Sequence, residues 1–240
     1  MIDGIKEEIK EEIKTHMNDS KLDYKKEYKD LYMPKGKPAV IEVPPIPFIT
    51  VLGKGNPNEE NGEYQKAVEL LYAISYTIKM SKNGEHIPIG YFEYVVPPLE
   101  GHWWIPKGNA DADYTKKSGF CWVSMIRQPD FVTEDVFKWA CKEVEKKKKL
   151  DTSKSEYIVF KEGLCVQCMH IGPFDNEPAT VAVMDKYLHE NGYVNDISDT
   201  RLHHEIYLSD TRKVESAKWK TVIRHPILVR ENSIYLSPQI

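Results

Sequence analysis

Cysteine is scarce in this chain, with four residues among 240, and that argues against a disulfide framework. Cys165 and Cys168 form one CxxC inside an apparent strand, while Cys121 and Cys141 stand alone. A structural zinc site needs about four ligands, so the CxxC reads as two small core residues and no metal is expected. A reduced, cytoplasmic protein is the simplest reading of this usage. No apolar run approaches the roughly 18–20 residues of a membrane span, and the N-terminus, charged from Lys6 onward, does not read as a signal peptide. Positive charge is not in excess either. A formal net charge of −4 argues against a dedicated nucleic-acid surface, because a basic excess supplies most of such affinity. The one basic run, Lys146 to Lys149, follows Glu143 and Glu145 and reads as a solvated helix end. Gly172-Pro173 lacks the glycines and lysine of a phosphate-cradling loop, and no cofactor is expected.

What is present is an ordinary globular composition, 41% apolar and 29% charged. A chain of this size buries roughly 70–75% of its unfolded surface, which suits one large domain or two small ones. Residues 1–20 stand apart as a helical extension, with Ile2, Ile5, Ile9 and Ile13 forming a narrow apolar stripe between Lys and Glu. An entry segment follows, in which Tyr24, Tyr28, Leu31 and Tyr32 fall at helix-like spacing. Pro34, Pro38, Pro44, Pro45 and Pro47 then make a helix implausible, and Val40 to Val43 read as a short edge strand.

The body reads as an internal repeat, with copy one over about 46–130, a linking helix over about 133–149 and copy two over about 156–227. Each copy opens with an apolar strand, Phe48–Leu52 or Cys165–Ile171, then a Gly/Pro turn and a helix. Each helix ends at a polar break, Lys82-Asn83-Gly84 or Glu190-Asn191-Gly192, which leads to a strand with a central Glu. These strands are Tyr91–Val95 around Glu93 and His203–Leu208 around Glu205. Each copy closes on a similar phrase, Met125-Ile126-Arg127-Gln128-Pro129 or Val222-Ile223-Arg224-His225-Pro226. The expected fold is α+β: strand–helix–strand–strand modules in tandem, forming a pseudo-two-fold antiparallel sheet with helices on one side. Copy one carries a longer stretch between its last two strands, Pro97 to Pro106, which holds Glu100, Trp103 and Trp104 and reads as a loop over the site.

Strand residues alternate faces. His203, Glu205 and Tyr207 therefore share one face while Ile206 and Leu208 take the other, and Tyr91 and Glu93 share a face in copy one. Adjacent His203 and His204 point apart, so one metal ion cannot easily take both. A carboxylate among aromatics loses hydration, and its pKa should rise. Such a group can pair with a cation supported by ring faces, or work as an acid or base near neutral pH. The sequence does not choose between these roles. Trp122 and Trp219 read as core rather than ligand-binding residues.

Three phrases, His170-Ile171-Gly172-Pro173-Phe174-Asp175-Asn176, Glu190-Asn191-Gly192-Tyr193 and Glu205-Ile206-Tyr207-Leu208-Ser209-Asp210, resemble the GyrI-like small-molecule-binding family. Pro98-Leu99-Glu100-Gly101-His102-Trp103-Trp104 resembles its free-standing branch. The resemblance places a GyrI-like domain at 21–227, with 228–240 as a C-terminal tail, and implies a ligand groove between the two copies. The family includes drug-sensing domains of multidrug-responsive regulators, a gyrase-inhibiting protein, and free-standing members that hydrolyse cyclopropanoid natural products. The Glu matching Glu205 receives cationic aromatic drugs in the sensors and is implicated in water attack in the hydrolases. Together with the strand faces and the aromatic insert, this gives Glu205 and Tyr207 as the expected catalytic residues, and Glu93, Tyr91, Glu100, Trp103, Trp104, His203 and Phe174 as the expected ligand-binding ones. Unlike the regulators, this chain shows no helix-turn-helix in residues 1–47. The expected partner is a small hydrophobic or cationic aromatic ligand, with no direct nucleic-acid or membrane binding. Three functions stand open: a hydrolase of cyclopropanoid-type electrophiles, a non-catalytic sensor or sequestering module for cationic aromatic drugs, and a gyrase-inhibitor-like interaction protein.

Overall fold

The computed structural model describes residues 21–106 and 117–230. The expected N-terminal helix, and all of the expected tail beyond Arg230, lie outside the described residues. The chain enters through two short helices, α1 (Tyr24–Glu27) and α2 (Lys29–Tyr32), the first capped by the Asp23 side chain accepting from the Lys25 amide. Strand β1 (Ala39–Lys54) follows as one continuous element, where the sequence reading had two separate pieces. Its prolines are tolerated because β1 meets β4 from Ala39 to Val51 but meets β3 only from Phe48 onward. Before Phe48 one edge is open, and a missing N–H there leaves no gap in a ladder. Helix α3 (Glu63–Lys79) buries Ala67, Leu71, Ile74 and Ile78 at helical spacing. Next come β2 (Leu99–Trp104), β3 (Cys121–Arg127) and α4 (Glu134–Lys148), the helix capped by Thr133. After these run β4 (Ser155–Ile171), α5 (Glu177–Glu190), β5 (Tyr193–Asn195), β6 (His203–Tyr207) and β7 (Lys220–Val229). No helix among the described residues is long and apolar enough to cross a membrane.

All strand pairs are antiparallel, in the order β4-β1-β3-β2-β6-β7, and β7 pairs back onto β4. The sheet thus closes like a barrel rather than lying open, with β5 added outside β7. Two strand readings change here. Tyr91–Val95 is not a strand; it runs beside the entry segment, bonded to Leu22 through the Glu93 carbonyl and the Val95 amide. The strand that pairs with β6 is instead β2, so Trp103 and Trp104 belong to the sheet and not to a loop. The misleading signal was the flanking Pro97, Pro98 and Pro106, which bracket a strand here. Cys165 and Cys168 are both buried and free, but in two separate core clusters.

The two faces of the sheet are covered differently. Helices α3 and α5 take one face. The concave face holds a buried polar network closed by α1 and α2. His204 lies at its centre, with Nδ1 3.1 Å from the Glu162 carboxylate and Nε2 3.0 Å from Glu100. Arg224 donates to Glu162 at 3.1 Å, to Gln167, and to the Leu31 carbonyl at 2.9 Å. Tyr32 donates to Glu100 at 3.1 Å. Burial alone would lower the His204 pKa, but the charge of Glu162 and hydrogen bonds to both carboxylates outweigh it and raise it to about 9. Burial pushes Glu162 the other way, yet His204 and Arg224 hold its carboxyl far below the ordinary range.

Removing one member of such a network leaves an unpaired charge in the core. Glu162→Ala should therefore destabilise the fold by about 3–5 kcal/mol in urea unfolding. The pH dependence has a definite sign. The His204 contribution is complete below its unfolded pKa of roughly 6.5 and is lost as pH rises through about 9. The Glu162 contribution is complete above 4.5 and is lost on acidification. Stability from these two groups should peak in mildly acidic solution, as urea midpoints measured across pH 4–10 (approximately) would reveal.

Candidate functional site

A cleft of about 2540 Å³ lies between α3 and α5 over the outer face of β2 and β6. Its floor follows from strand alternation. His203, Glu205 and Tyr207 point into it, while His204 and Ile206 turn to the buried opposite face. From β2, Trp103 reaches the same floor. Gly101 lies directly opposite Glu205 in the ladder, and its missing side chain leaves the space that Trp103 and Tyr207 fill. The walls are aromatic: Tyr64 and Tyr72 from α3, Phe120 before β3, and Phe174 before α5. Tyr64 packs against Trp103 at 5.4 Å, and Phe174 meets Tyr207 edge-on at 5.8 Å.

Glu205 is the polar centre. Its Oε1 lies 3.0 Å from His203 Nε2, and its side chain is 14% exposed. His203 is oriented from behind, with Nδ1 2.7 Å from His225 Nε2. Burial, then the neighbouring His203, lowers the His225 pKa to about 3, so this ring is neutral. Tyr207 accepts from the Trp103 indole at 2.8 Å and lies on the same face of β6 as Glu205. Burial and the Glu205 charge push its phenol well above the ordinary value, so it stays un-ionised. Glu177, the first residue of α5, brings a carboxyl oxygen within 4.8 Å of Glu205, and burial followed by the Glu205 charge raises its pKa to about 9. Two carboxyls, a phenol and an imidazole thus converge on one apolar-walled space. That set can orient a water, move a proton or hold a cation.

Four of the expected ligand-binding residues line this cleft: Trp103, Trp104, His203 and Phe174, together with the expected catalytic pair Glu205 and Tyr207. Trp103 is on the floor, whereas Trp104 alternates to the other side of β2 and reaches the cleft near the end of that strand. Three expected residues lie elsewhere. Glu93 is ion-paired with Lys82, and Tyr91 donates to the Lys79 carbonyl at 2.7 Å, both away from the cleft. Glu100 faces the concave side, bound to His204 and Tyr32. Glu177, His225 and Tyr64 were missed. Glu177 beside Pro178 looks like an ordinary acidic helix start, and His225 sits inside a phrase read only as a repeat landmark. Trp219, read as core, packs at a tilt against Phe174 with ring centroids 5.0 Å apart, beside the cleft. Glu177, His203 and Glu205 also place ligand-type atoms within 4.8 Å of one another, as do His102, Glu162 and His204. In the second trio both His204 nitrogens already serve carboxylates, so the first is the set better able to hold a metal.

The model of the GyrI-like small molecule binding domain matches residues 36–228. The fold and sequence resemble a conserved Listeria innocua protein described as uncharacterized, with 50% identity over 87% of this chain and 100% of that one, at a TM-score of 0.81. Two further crystal structures, each described as a hydrolase from Listeria innocua, match at 49% and 50% identity with TM-scores of 0.79 and 0.80. Each of these also covers 87% of this chain and 100% of its own. No functionally curated protein matches the chain.

The Gly101 space gives a test of the floor. A Cβ there would meet Trp103 Nε1 at 2.8 Å and the Tyr207 hydroxyl at 3.3 Å. Gly101→Ala should push the indole off Tyr207 and change the intrinsic tryptophan fluorescence and near-ultraviolet circular dichroism. The cost in stability should stay within about 1–3 kcal/mol, the usual range for overpacking.

Proposed function

This chain belongs to the GyrI-like small-molecule-binding family, and from that premise we propose that its cleft hydrolyses a hydrophobic electrophile of the cyclopropanoid type. The observation that carries this reading is the environment of Glu205. The carboxylate is shielded by aromatic walls, anchored by His203 and Tyr207, and set where a water and a flat apolar substrate would meet. Glu205 takes a proton from water as the water oxygen attacks the electrophilic carbon. The un-ionised phenol of Tyr207 donates a hydrogen bond that holds this carboxylate in place. Trp103, Tyr64 and Phe174 bury the substrate's rings, and flat aromatic contacts are favourable beyond the area they cover. Two relatives of about half-identical sequence bear the description hydrolase, which supports this class of activity. The cleft between α3 and α5 further fits a tandem strand–helix–strand–strand duplication, with each copy contributing one wall.

A second reading draws on charge. Acidic residues outnumber basic ones along the cleft, and a carboxylate beneath aromatic faces favours organic cations. On that reading the protein holds cationic aromatic compounds without altering them.

The two readings separate on one experiment. Purified protein incubated with a cyclopropanoid should yield the ring-opened, water-added product by mass spectrometry. Glu205→Gln should lower the rate by about 10²–10⁴-fold, the usual contribution of a general base. Undiminished turnover in that variant would remove Glu205 from the mechanism. Tight binding of a cationic dye with no product from any electrophile would favour the second reading.

A further inference from the structure

We propose that Glu177, His203 and Glu205 form a site for one divalent transition-metal ion of the zinc class on the floor of the cleft. The inference goes beyond the hydrolytic reading and does not depend on it. The three side chains place one ligand-type atom each within 4.8 Å of one another, and His203 Nε2 and Glu205 Oε1 are already 3.0 Å apart. Zinc holds nitrogen and carboxylate oxygen at about 2.1 Å, which sets neighbouring ligand atoms about 3.4 Å apart. Closing the trio therefore takes only small side-chain movements. Strand alternation keeps one ion from taking both His203 and His204. The third ligand comes instead from the start of α5.

Two further observations point to an ion. Glu177 is only 8% exposed, and its Oε1 is buried with no hydrogen-bond partner among the described residues. A buried acceptor without a donor costs free energy, and a cation held by the trio removes that cost. No lysine or arginine among the described residues does so, since Lys117 and Arg212 on the cleft rim pair with Asp175 and Asp210. His203, in turn, is braced as a metal-bound imidazole is braced. Its Nδ1 lies 2.7 Å from Nε2 of the buried His225. With the proton of that bond on His203 Nδ1, its Nε2 carries the lone pair that a metal needs. Ligating imidazoles ordinarily give their other ring N–H to a fixed acceptor in this way.

The donor set selects the ion. One nitrogen and two carboxylate oxygens suit zinc and its first-row neighbours, whereas magnesium and calcium favour oxygen alone. Three protein ligands leave a position open, the pattern of sites that take a water or a small molecule. With Tyr64, Trp103 and Phe174 lining the same cleft, the loaded site fits a flat aromatic compound that carries a donor atom for the metal. An ion there also takes up the Glu205 charge, so the loaded cleft has no free general base.

Titration calorimetry of the full chain, first stripped with a chelator, against zinc chloride should give saturable one-to-one binding. Glu177→Gln, His203→Phe and Glu205→Gln should each weaken it by about 100-fold or more, and His225→Leu, which removes only the outer support, by about 10–100-fold. Glu93→Gln, outside the cleft, should bind as wild type does. Cobalt(II) in the wild-type protein should show the intense visible absorption of a four- or five-coordinate ion, a readout that needs no variant to fold. Absence of saturable zinc binding, or the faint bands of six-coordinate cobalt, would overturn the site. So would unchanged affinity in folded Glu177→Gln and His203→Phe, or binding that is lost in His102→Phe and kept in His203→Phe. None of these readouts uses turnover, so the site and the hydrolytic reading fail separately.

Discussion

The structure depends on one buried cation between two carboxylates. His204 is about as buried as any side chain in the protein, yet it carries charge because Glu162 and Glu100 approach it from two strands that do not neighbour each other. Such convergence is possible only on the concave side of a closed sheet. Arg224 adds a second cation to Glu162 and reaches out to the Leu31 carbonyl, so the network also fastens the entry helices. Apolar residues of the same volume would give comparable burial without the desolvation cost. What they would not give is a unique register. A one-residue slip of β6 would bring Glu205 into the core and expel His204, and the network makes that slip very costly.

Register is what turns the fold into a site. Because side chains alternate, the bonds that hold His204 inward also aim His203, Glu205 and Tyr207 outward. The two faces of this five-residue strand then obey opposite electrostatic rules. On the concave face, carboxylates and cations balance and Glu162 stays ionised. On the cleft face, burial and the Glu205 charge instead push the Glu177 carboxyl up to about 9. A single short strand thus separates a structural network from a chemical one. His203 and His204, adjacent in sequence, belong to different networks: the first is braced by neutral His225 and the second by charged partners.

Much of this was legible before the structure. The helices, the linking helix and the strand carrying His203, Glu205 and Tyr207 follow from periodicity and alternation, and the family resemblance follows from ordered phrases. Glu93 misled because a Glu inside Tyr91–Val95 mimics the pattern around Glu205, although that segment pairs with Leu22 rather than with the sheet. Trp103 and Trp104 misled for the opposite reason. Prolines on both sides and a Gly at the centre resemble a loop, whereas Gly101 is there because Trp103 and Tyr207 need its space. Closure of the sheet was not legible at all. It depends on β4 pairing with both β1 and β7, and such long-range pairing leaves no local pattern in sequence. Glu177 was hidden for a related reason, since only the tertiary fold brings the start of α5 beside β6.

The two walls of the cleft rest on different cores. Tyr64 rides on α3, whose buried face belongs to the large cluster with Ile49, Ile126 and Ile206. Glu177 rides on α5, which packs through Met184 and Leu188 against Val166, Cys168, Ile223 and Ile227, a separate small cluster. The floor between them is fixed by the His204 network. The distance from Glu177 to Glu205 is therefore set by the small cluster, independently of the aromatic wall on α3. Changes under α5 would alter the approach of Glu177 to Glu205 while leaving the aromatic contacts in place, and changes under α3 would do the reverse. Substrate shape and proton chemistry are in that sense held by separate parts of the molecule. Relatives that share the floor can then differ in one without losing the other.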